Sequence, residues 1–243
     1  MTGAGERITF SDSSRLSHIL MNRIIQSDPF RYHIIDRQLE PLKLLGIKNI
    51  RKEMSIHIPL SVEKDIDRVF NKANLAKGLL NIAIHPGARG KLRQWKPERF
   101  ADIAQRIKMA FSANIILIGG PGEEEIVDRV EKDMKFPAEI KTTGLTLLHM
   151  AALFRRCVLF IGNDSAPGHI AAAVKCPTLS LFGPTFPHMW RPIGSDGEVI
   201  FKNLPCCGCK QRECSQPYNN CMDSIGANEV WERVEVLLNK TSE

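Results

Sequence analysis

From residue 80 onward the chain repeats one pattern: a short apolar run rich in β-branched residues, a polar turn, an amphipathic stretch, then the next apolar run. The apolar runs are NIAIH (81–85), NIILIGG (114–120), VLFIG (158–162) and TLSLFG (178–183). Between them lie RFADIAQRIKMAF (99–111), EEEIVDRVEKDM (123–134), LTLLHMAALFRR (145–156) and HIAAAV (169–174). Short apolar runs bounded by turn residues read as buried strands, and the longer stretches carry apolar residues at helical spacing. Strand and helix alternating with short connections give a parallel sheet covered by helices on both faces. The expectation is an α/β chain with one complete Rossmann-like, doubly wound domain. Ligands of such sheets bind beyond the C-terminal ends of the strands, so each polar loop after a strand is a site candidate.

The front of the chain supplies less. Residues 7–10 (RITF) read as a short strand, helix patterns cover about 13–27 and 36–45, and 50–60 is irregular. That is too little to close an independent α/β domain. A helix is expected over 61–78, and the C-terminal stretch 227–240 is amphipathic, with Trp231, Val234 and Leu238 on one face.

No apolar run among the 243 residues approaches the roughly 20 that a membrane-spanning helix needs. The N-terminus lacks the basic flank and apolar core of a signal peptide, so a reducing cytoplasm is expected and the seven cysteines read as thiols. A net charge of +6 favours anionic partners. Lys and Arg are scattered, without a dense basic tract or interleaved aromatics, so nucleic acid is not among the expected partners.

Three loops carry the chemistry. In GNDSAPGHIAAA (162–173), Asn163, Asp164 and Ser165 are helix-capping types and Pro167 suits a first helical turn. The amides that open a helix have no intrahelical partners and sit at the positive end of its dipole, which suits a phosphate, with His169 one turn further in. The other reading of the same turn is that Asp164 and Ser165 cap the helix and His169 packs. In HPGARGKLRQWKP (85–97), Gly87 and Gly90 permit close approach, and Arg89, Lys91, Arg93 and Lys96 supply cations. A planar guanidinium offers phosphate a fork, which singles out Arg93, while a solvated loop face is the alternative. In GGPGEEE (119–125), an acid at a helix start is stabilised by the dipole whatever the function, and it could also accept hydrogen bonds from a ribose diol. The spacing departs from GxGxxG, which argues against an NAD enzyme. Thr185, His188, Trp190 and Arg191 follow the last of these strands and suit substrate contact, individually without specificity. Finally, Cys206, Cys209, Cys214 and Cys221 stand at intervals of two, four and six residues, with Cys207 as a further thiol. They are candidates for a structural zinc site, with packed reduced thiols or a conditional disulfide as the alternatives.

HPGAR...W.P at 85–97, GGPGEE at 119–124, GNDSAPGHIAAA at 162–173 and LFGPT at 181–185, in this order, resemble glycosyltransferase family 9, the ADP-heptose:lipopolysaccharide heptosyltransferases. The resemblance spans roughly residues 30–240 and implies a GT-B-like fold: a C-terminal Rossmann-like nucleotide-sugar-binding domain, read here as 61–243, and residues 1–60 as a remnant of the N-terminal acceptor domain with its linker. It implies transfer of heptose from ADP-heptose to a Kdo-lipid A or inner-core acceptor with inversion, without metal or other cofactor. The implied partners are an ADP-sugar donor, a lipopolysaccharide core acceptor and the inner-membrane surface, touched peripherally from the cytoplasm. Gly87, Ala88 and Arg93 fall where the family binds phosphate, Glu124 or Glu123 where it binds ribose, and Leu145 where an apolar side chain lines the adenine pocket. Asp164, Ser165, Ala166 and His169 fall on the diphosphate turn, with Ala166 in place of the family's glycine. The family's proposed catalytic acid lies near the start of its N-terminal domain. Asp12, Asp28 and Asp36 have no matching context, so no catalytic base is assigned. The alternative reading is a non-catalytic nucleotide-sugar-binding remnant or interaction module.

Overall fold

The computed structural model describes residues 3–28, 30–73, 75–76, 78–194, 196–209, 213–216 and 220–240. The chain divides into two compact units, Met1–Lys52 with His188–Trp190, and Glu53–Pro187 with Arg191–Glu243.

The first unit contains β1 (Ile8–Phe10), α1 (Arg15–Leu20), β2 (Arg23–Ile25) and α2 (Ile34–Leu44). The helix expected over 13–27 is therefore a short helix followed by a strand. Ser14 caps α1, accepting from the Ser17 N–H at 3.3 Å. Beyond Leu20 the β-branched pair Ile24 and Ile25 joins β1 in parallel, with Ile8 opposite Arg23 and Phe10 opposite Ile25. Asn22 fixes the entry to β2, accepting from the Arg7 N–H and donating to the Gly5 carbonyl, each at 2.7 Å. The helix expected over 36–45 starts at Ile34, where His33 Nδ1 accepts from the Ile35 N–H at 3.2 Å.

The second unit contains α3 (Leu60–Lys72), β3 (Asn81–His85), α4 (Pro97–Phe111), β4 (Asn114–Ile118), α5 (Glu124–Asp133), β5 (Ile140–Thr142), α6 (Leu147–Phe154), β6 (Leu159–Asn163), α7 (Ala166–Ala173), β7 (Thr178–Phe182), β8 (Glu198–Phe201) and α9 (Ala227–Lys240); of α8 (Pro187–Trp190), Pro187 belongs to the second unit and His188–Trp190 to the first. Asn74 and Lys77, in the tail of the helix expected over 61–78, lie outside the described residues. The six strands are all parallel, in the order β5-β4-β3-β6-β7-β8. The chain enters at the centre, winds outward to β5, and returns to wind the other way from β6. The switch point, where ligands of open α/β sheets bind, thus lies between β3 and β6.

Successive strand residues point to opposite faces, which splits the core in two. Ile82, Ile84, Ile115 and Leu117 join the α4, α5 and α9 side, where Val234 and Leu238 are fully buried and Trp231 packs partly against them. Ala83, Ile116, Ile118 and Phe160 join the α3 and α6 side. Ile56 and Ile58 pack on this second cluster, which places the segment ahead of α3 with the second unit. Pro97 opens α4, as its missing N–H and fixed φ favour. Among the described residues, no helix is long and apolar enough to cross a membrane.

Candidate functional site

At the switch point, the loops that follow β3 and β6 are welded by one side chain. Asn163 ends β6 and is 1% exposed. Its Oδ1 accepts from the Trp95 N–H at 3.0 Å, and its Nδ2 donates to the Pro86 carbonyl at 2.7 Å and more distantly to that of Gly87 at 3.4 Å. A buried amide that satisfies main-chain groups at both ends of a loop sets that loop's shape. Trp95 anchors the far end: it is fully buried, donates its indole N–H to the Ile225 carbonyl at 2.9 Å, and meets the Phe100 ring edge-on at 5.0 Å.

Asp164 comes next and is also buried. Its Oδ2 accepts from the Thr185 hydroxyl and lies 3.4 Å from Arg93 Nη1. Arg93 ends the 3-10 turn Lys91–Arg93, and its side chain keeps 43% of its exposure. A carboxylate that holds one edge of a guanidinium leaves the remaining N–H groups of the fork for a phosphate. Asp164 is thus no helix cap; its carboxylate crosses to the β3 loop. Ser165 also departs from the capping role. It is the N-cap residue of α7 yet makes no side-chain capping bond; its hydroxyl donates instead to the Asn163 carbonyl at 3.1 Å. Ala166, exposed, opens α7, and His169 is half-buried in the same helix. The positive end of the α7 dipole therefore lies beside the Asp164–Arg93 pair.

The turn after β4 supplies Glu123. Its Oε2 accepts from the Gly120 N–H at 2.7 Å and lies 3.0 Å from His85 Nε2. The His85 bond above all, with the Gly120 amide, holds this carboxyl below its ordinary value of 4.5, against the opposing effect of burial. Gly87 makes the approach feasible: a Cβ there would meet the Glu123 carboxylate at 2.2–2.3 Å. Glu124 turns to its own loop, accepting from the Gly122 N–H at 3.2 Å. Ala88 is buried and accepts from the Gln94 side chain at 2.9 Å. Leu145 packs, half-buried, against the α6-side core, and Lys96 pairs with Asp223 at 3.3 Å.

Of the expected residues, Gly87, Arg93, Glu123, Asp164 and Ser165 form one connected set. Ala88 shares its loop, and Ala166 and His169 its helix. Sequence reasoning missed His85, because a strand-terminal polar residue has no periodic signal, and it named Asn163 as a capping type, whereas its carboxamide bonds the main chain of the β3 loop. It named Thr185 without finding its partner, 21 residues away.

The cysteine loop behaves differently. Cys206, Cys207, Cys209, Cys214 and Cys221 line a cavity of about 10 Å³ beside Pro184, and every cysteine of the chain is free. Residues 210–212 and 217–219 of this loop lie outside the described residues. Among the described residues, no group of three His, Cys, Asp or Glu side chains is placed to hold a metal ion. Sulfurs here turn to local main chain, Cys207 toward the Gly183 carbonyl at 3.6 Å and Cys214 toward that of Gln216 at 3.5 Å. Burial, with the neighbouring thiols adding to it, pushes Cys221 up to about 11.

A parallel six-stranded sheet covered by helices, with polar loops gathered at its switch point, defines a Rossmann-like α/β domain. The family model for glycosyltransferase family 9 (heptosyltransferase) matches residues 1–219, and the chain belongs to that family. It is 32% identical over 165 residues to lipopolysaccharide heptosyltransferase 3 of Escherichia coli K12, which covers 66% of this chain and 46% of that protein. The crystal structure of the glycosyl transferase family 9 protein from Veillonella parvula superposes with a TM-score of 0.81 at 25% identity, covering 96% of this chain and 68% of that one. E. coli heptosyltransferase WaaC with ADP shares the fold, with a TM-score of 0.64 at 18% identity over 93% of this chain and 63% of that one. The chain spans about half the length of the curated relatives it matches.

Proposed function

We propose that this chain supplies the donor-binding part of a heptosyltransferase, which transfers heptose from ADP-heptose to a Kdo-lipid A or inner-core acceptor of lipopolysaccharide with inversion. The nucleotide sugar is held by the domain read as residues 61–243. The observation that carries this reading is the Asp164–Arg93 pair, 3.4 Å apart at the switch point of the sheet. Family membership and a relative named as a lipopolysaccharide heptosyltransferase support the acceptor class; a family structure holding ADP supports the donor class.

In such a transfer the acceptor hydroxyl oxygen attacks the anomeric carbon, the bond from that carbon to the diphosphate oxygen breaks, and ADP leaves with the electron pair. Charge grows on the diphosphate as this happens. Arg93, held by Asp164, and the opening amides of α7 are fixed in place to offset it, without reorganisation at the moment of reaction. The hydroxyl proton needs an acceptor. Within the first unit Asp12 pairs with Arg37, Asp36 with Lys52, and Asp28 accepts from the Phe30 N–H at 2.8 Å. None of the three is assigned as the base. The reading includes a cytoplasmic location and contact with the inner-membrane surface, for which the net charge of +6 is suited.

The test is calorimetric titration of the chain with ADP-heptose, ADP, a UDP-sugar and NAD, repeated with Asp164→Ala and Arg93→Ala. ADP ligands are expected to bind selectively and to weaken about tenfold or more in both variants. A folded chain that binds no ADP ligand would sink the proposal. Donor binding with no transfer to a Kdo-lipid A acceptor would reduce the chain to a nucleotide-sugar-binding module.

A further inference from the structure

His85 ends β3 and is 2% exposed. Its two ring nitrogens face two different loops: Nε2 lies 3.0 Å from Glu123 Oε2, and Nδ1 lies 3.4 Å from the hydroxyl of Ser165. A carboxylate can only accept, so the Glu123 contact places a proton on Nε2. Three constraints then fix the Glu123 carboxylate: the Nε2–H, the Gly120 N–H at 2.7 Å, and the bare Cα of Gly87, where a methyl would overlap it. Both donors fall on Oε2, and Oε1 has no protein donor among the described residues. Glu123 also lines an open groove of about 420 Å³, shared with Lys91, Gln94 and Gly122. One carboxylate oxygen is thus committed to the protein, and the other belongs to a group that borders the groove.

We propose that His85 is a positioning residue for the nucleotide: it holds Glu123 so that its second oxygen accepts a ribose hydroxyl. This rests on the donor-binding reading above. A glutamate free to rotate would pay side-chain entropy for each hydrogen bond it made to a ligand, whereas one already pinned at Oε2 does not.

The experiment compares ADP with 2′,3′-dideoxy-ADP, by calorimetry, on the unmodified chain and on His85→Asn, His85→Gln and Glu123→Gln. A charge-assisted hydrogen bond to a ribose hydroxyl predicts a preference for ADP of about 10-fold or more in the unmodified chain. His85→Asn cannot reach Glu123, and the preference should collapse toward 1 while dideoxy-ADP affinity stays nearly unchanged. His85→Gln places an amide N–H near the position of Nε2 and should retain most of it; Glu123→Gln should lose it. For the case in which His85→Asn does not fold, 15N NMR of the unmodified chain with labelled histidine gives a second readout. The His85 Nε2–H resonance should move when ADP is added and stay in place with dideoxy-ADP. A preference that survives His85→Asn, or a resonance that responds equally to both nucleotides, overturns the positioning role. Failure of the unmodified chain to bind either nucleotide overturns the donor-binding reading itself, and the His85 role falls with it.

Discussion

Replacing Asn163 with Ala removes the weld between the two loops of the site. Its carboxamide is buried and serves the Trp95 N–H at 3.0 Å and the Pro86 carbonyl at 2.7 Å. Each of these main-chain groups would be left buried without its partner, at a cost of about 1–3 kcal/mol apiece. The long contact to Gly87, at 3.4 Å, adds little. The expected loss is about 3 kcal/mol, which corresponds to a fall in Tm of roughly 6–12 °C for a chain of this size. Asn163→Asp is the sharper control. It keeps the acceptor for the Trp95 N–H but faces the Pro86 carbonyl with a second oxygen instead of a donor. Burial and that carbonyl would raise the folded-state pKa of the new carboxyl. The destabilisation should therefore be largest at neutral pH and shrink as pH falls through that raised pKa, when the protonated acid donates to Pro86 again. Thermal unfolding of both variants from pH 5 to pH 8 measures this. Losses under about 0.5 kcal/mol for both, or no pH dependence in the Asp variant beyond that of the unmodified chain, would refute the assignment of Asn163 as the residue that shapes the 86–95 loop.

Two further outcomes follow from the same geometry. The Glu123 carboxyl is held below its ordinary 4.5 chiefly by His85, so its contribution to stability is fully present above that value and is lost as pH falls through the lowered one; Glu123→Gln should flatten this part of the pH dependence of Tm, and an unchanged profile would contradict the pairing. A Cβ at Gly183 would lie 2.6 Å from Met222 Sδ and 3.2 Å from Cys221 Sγ, so Gly183→Ala should cost about 1–3 kcal/mol and speed the reaction of Cys221 with a thiol reagent, whereas an unaltered reaction rate would mean that Met222 absorbs the methyl by itself.

The pattern of apolar runs determined the parallel α/β architecture, the position of each central strand and the amphipathic helices α4, α5 and α9. Those features rest on local periodicity, which records which face of an element is buried. The loops of the site were legible for a related reason: glycine, proline and charged residues directly after a strand mark where the chain must turn and what it can bind there. The short strands β5 and β8 escaped notice, since Lys141 and Glu198 interrupt their apolar character and each, among the described residues, has one neighbouring strand. β2 was hidden inside a helix pattern, because nothing near Arg23–Ile25 in sequence shows that β1 is there to pair with it. The same holds for the side chains of the site. Asp164 reads as a helix cap until the sheet order brings Arg93, 71 residues earlier, beside it. Glu123 and Glu124 are equivalent in sequence, and the end of β3 separates them by placing His85 within reach of Glu123. Local patterning therefore determined which segments form the site, while the partner of each polar group was decided by strand order, a long-range property that only the assembled sheet expresses.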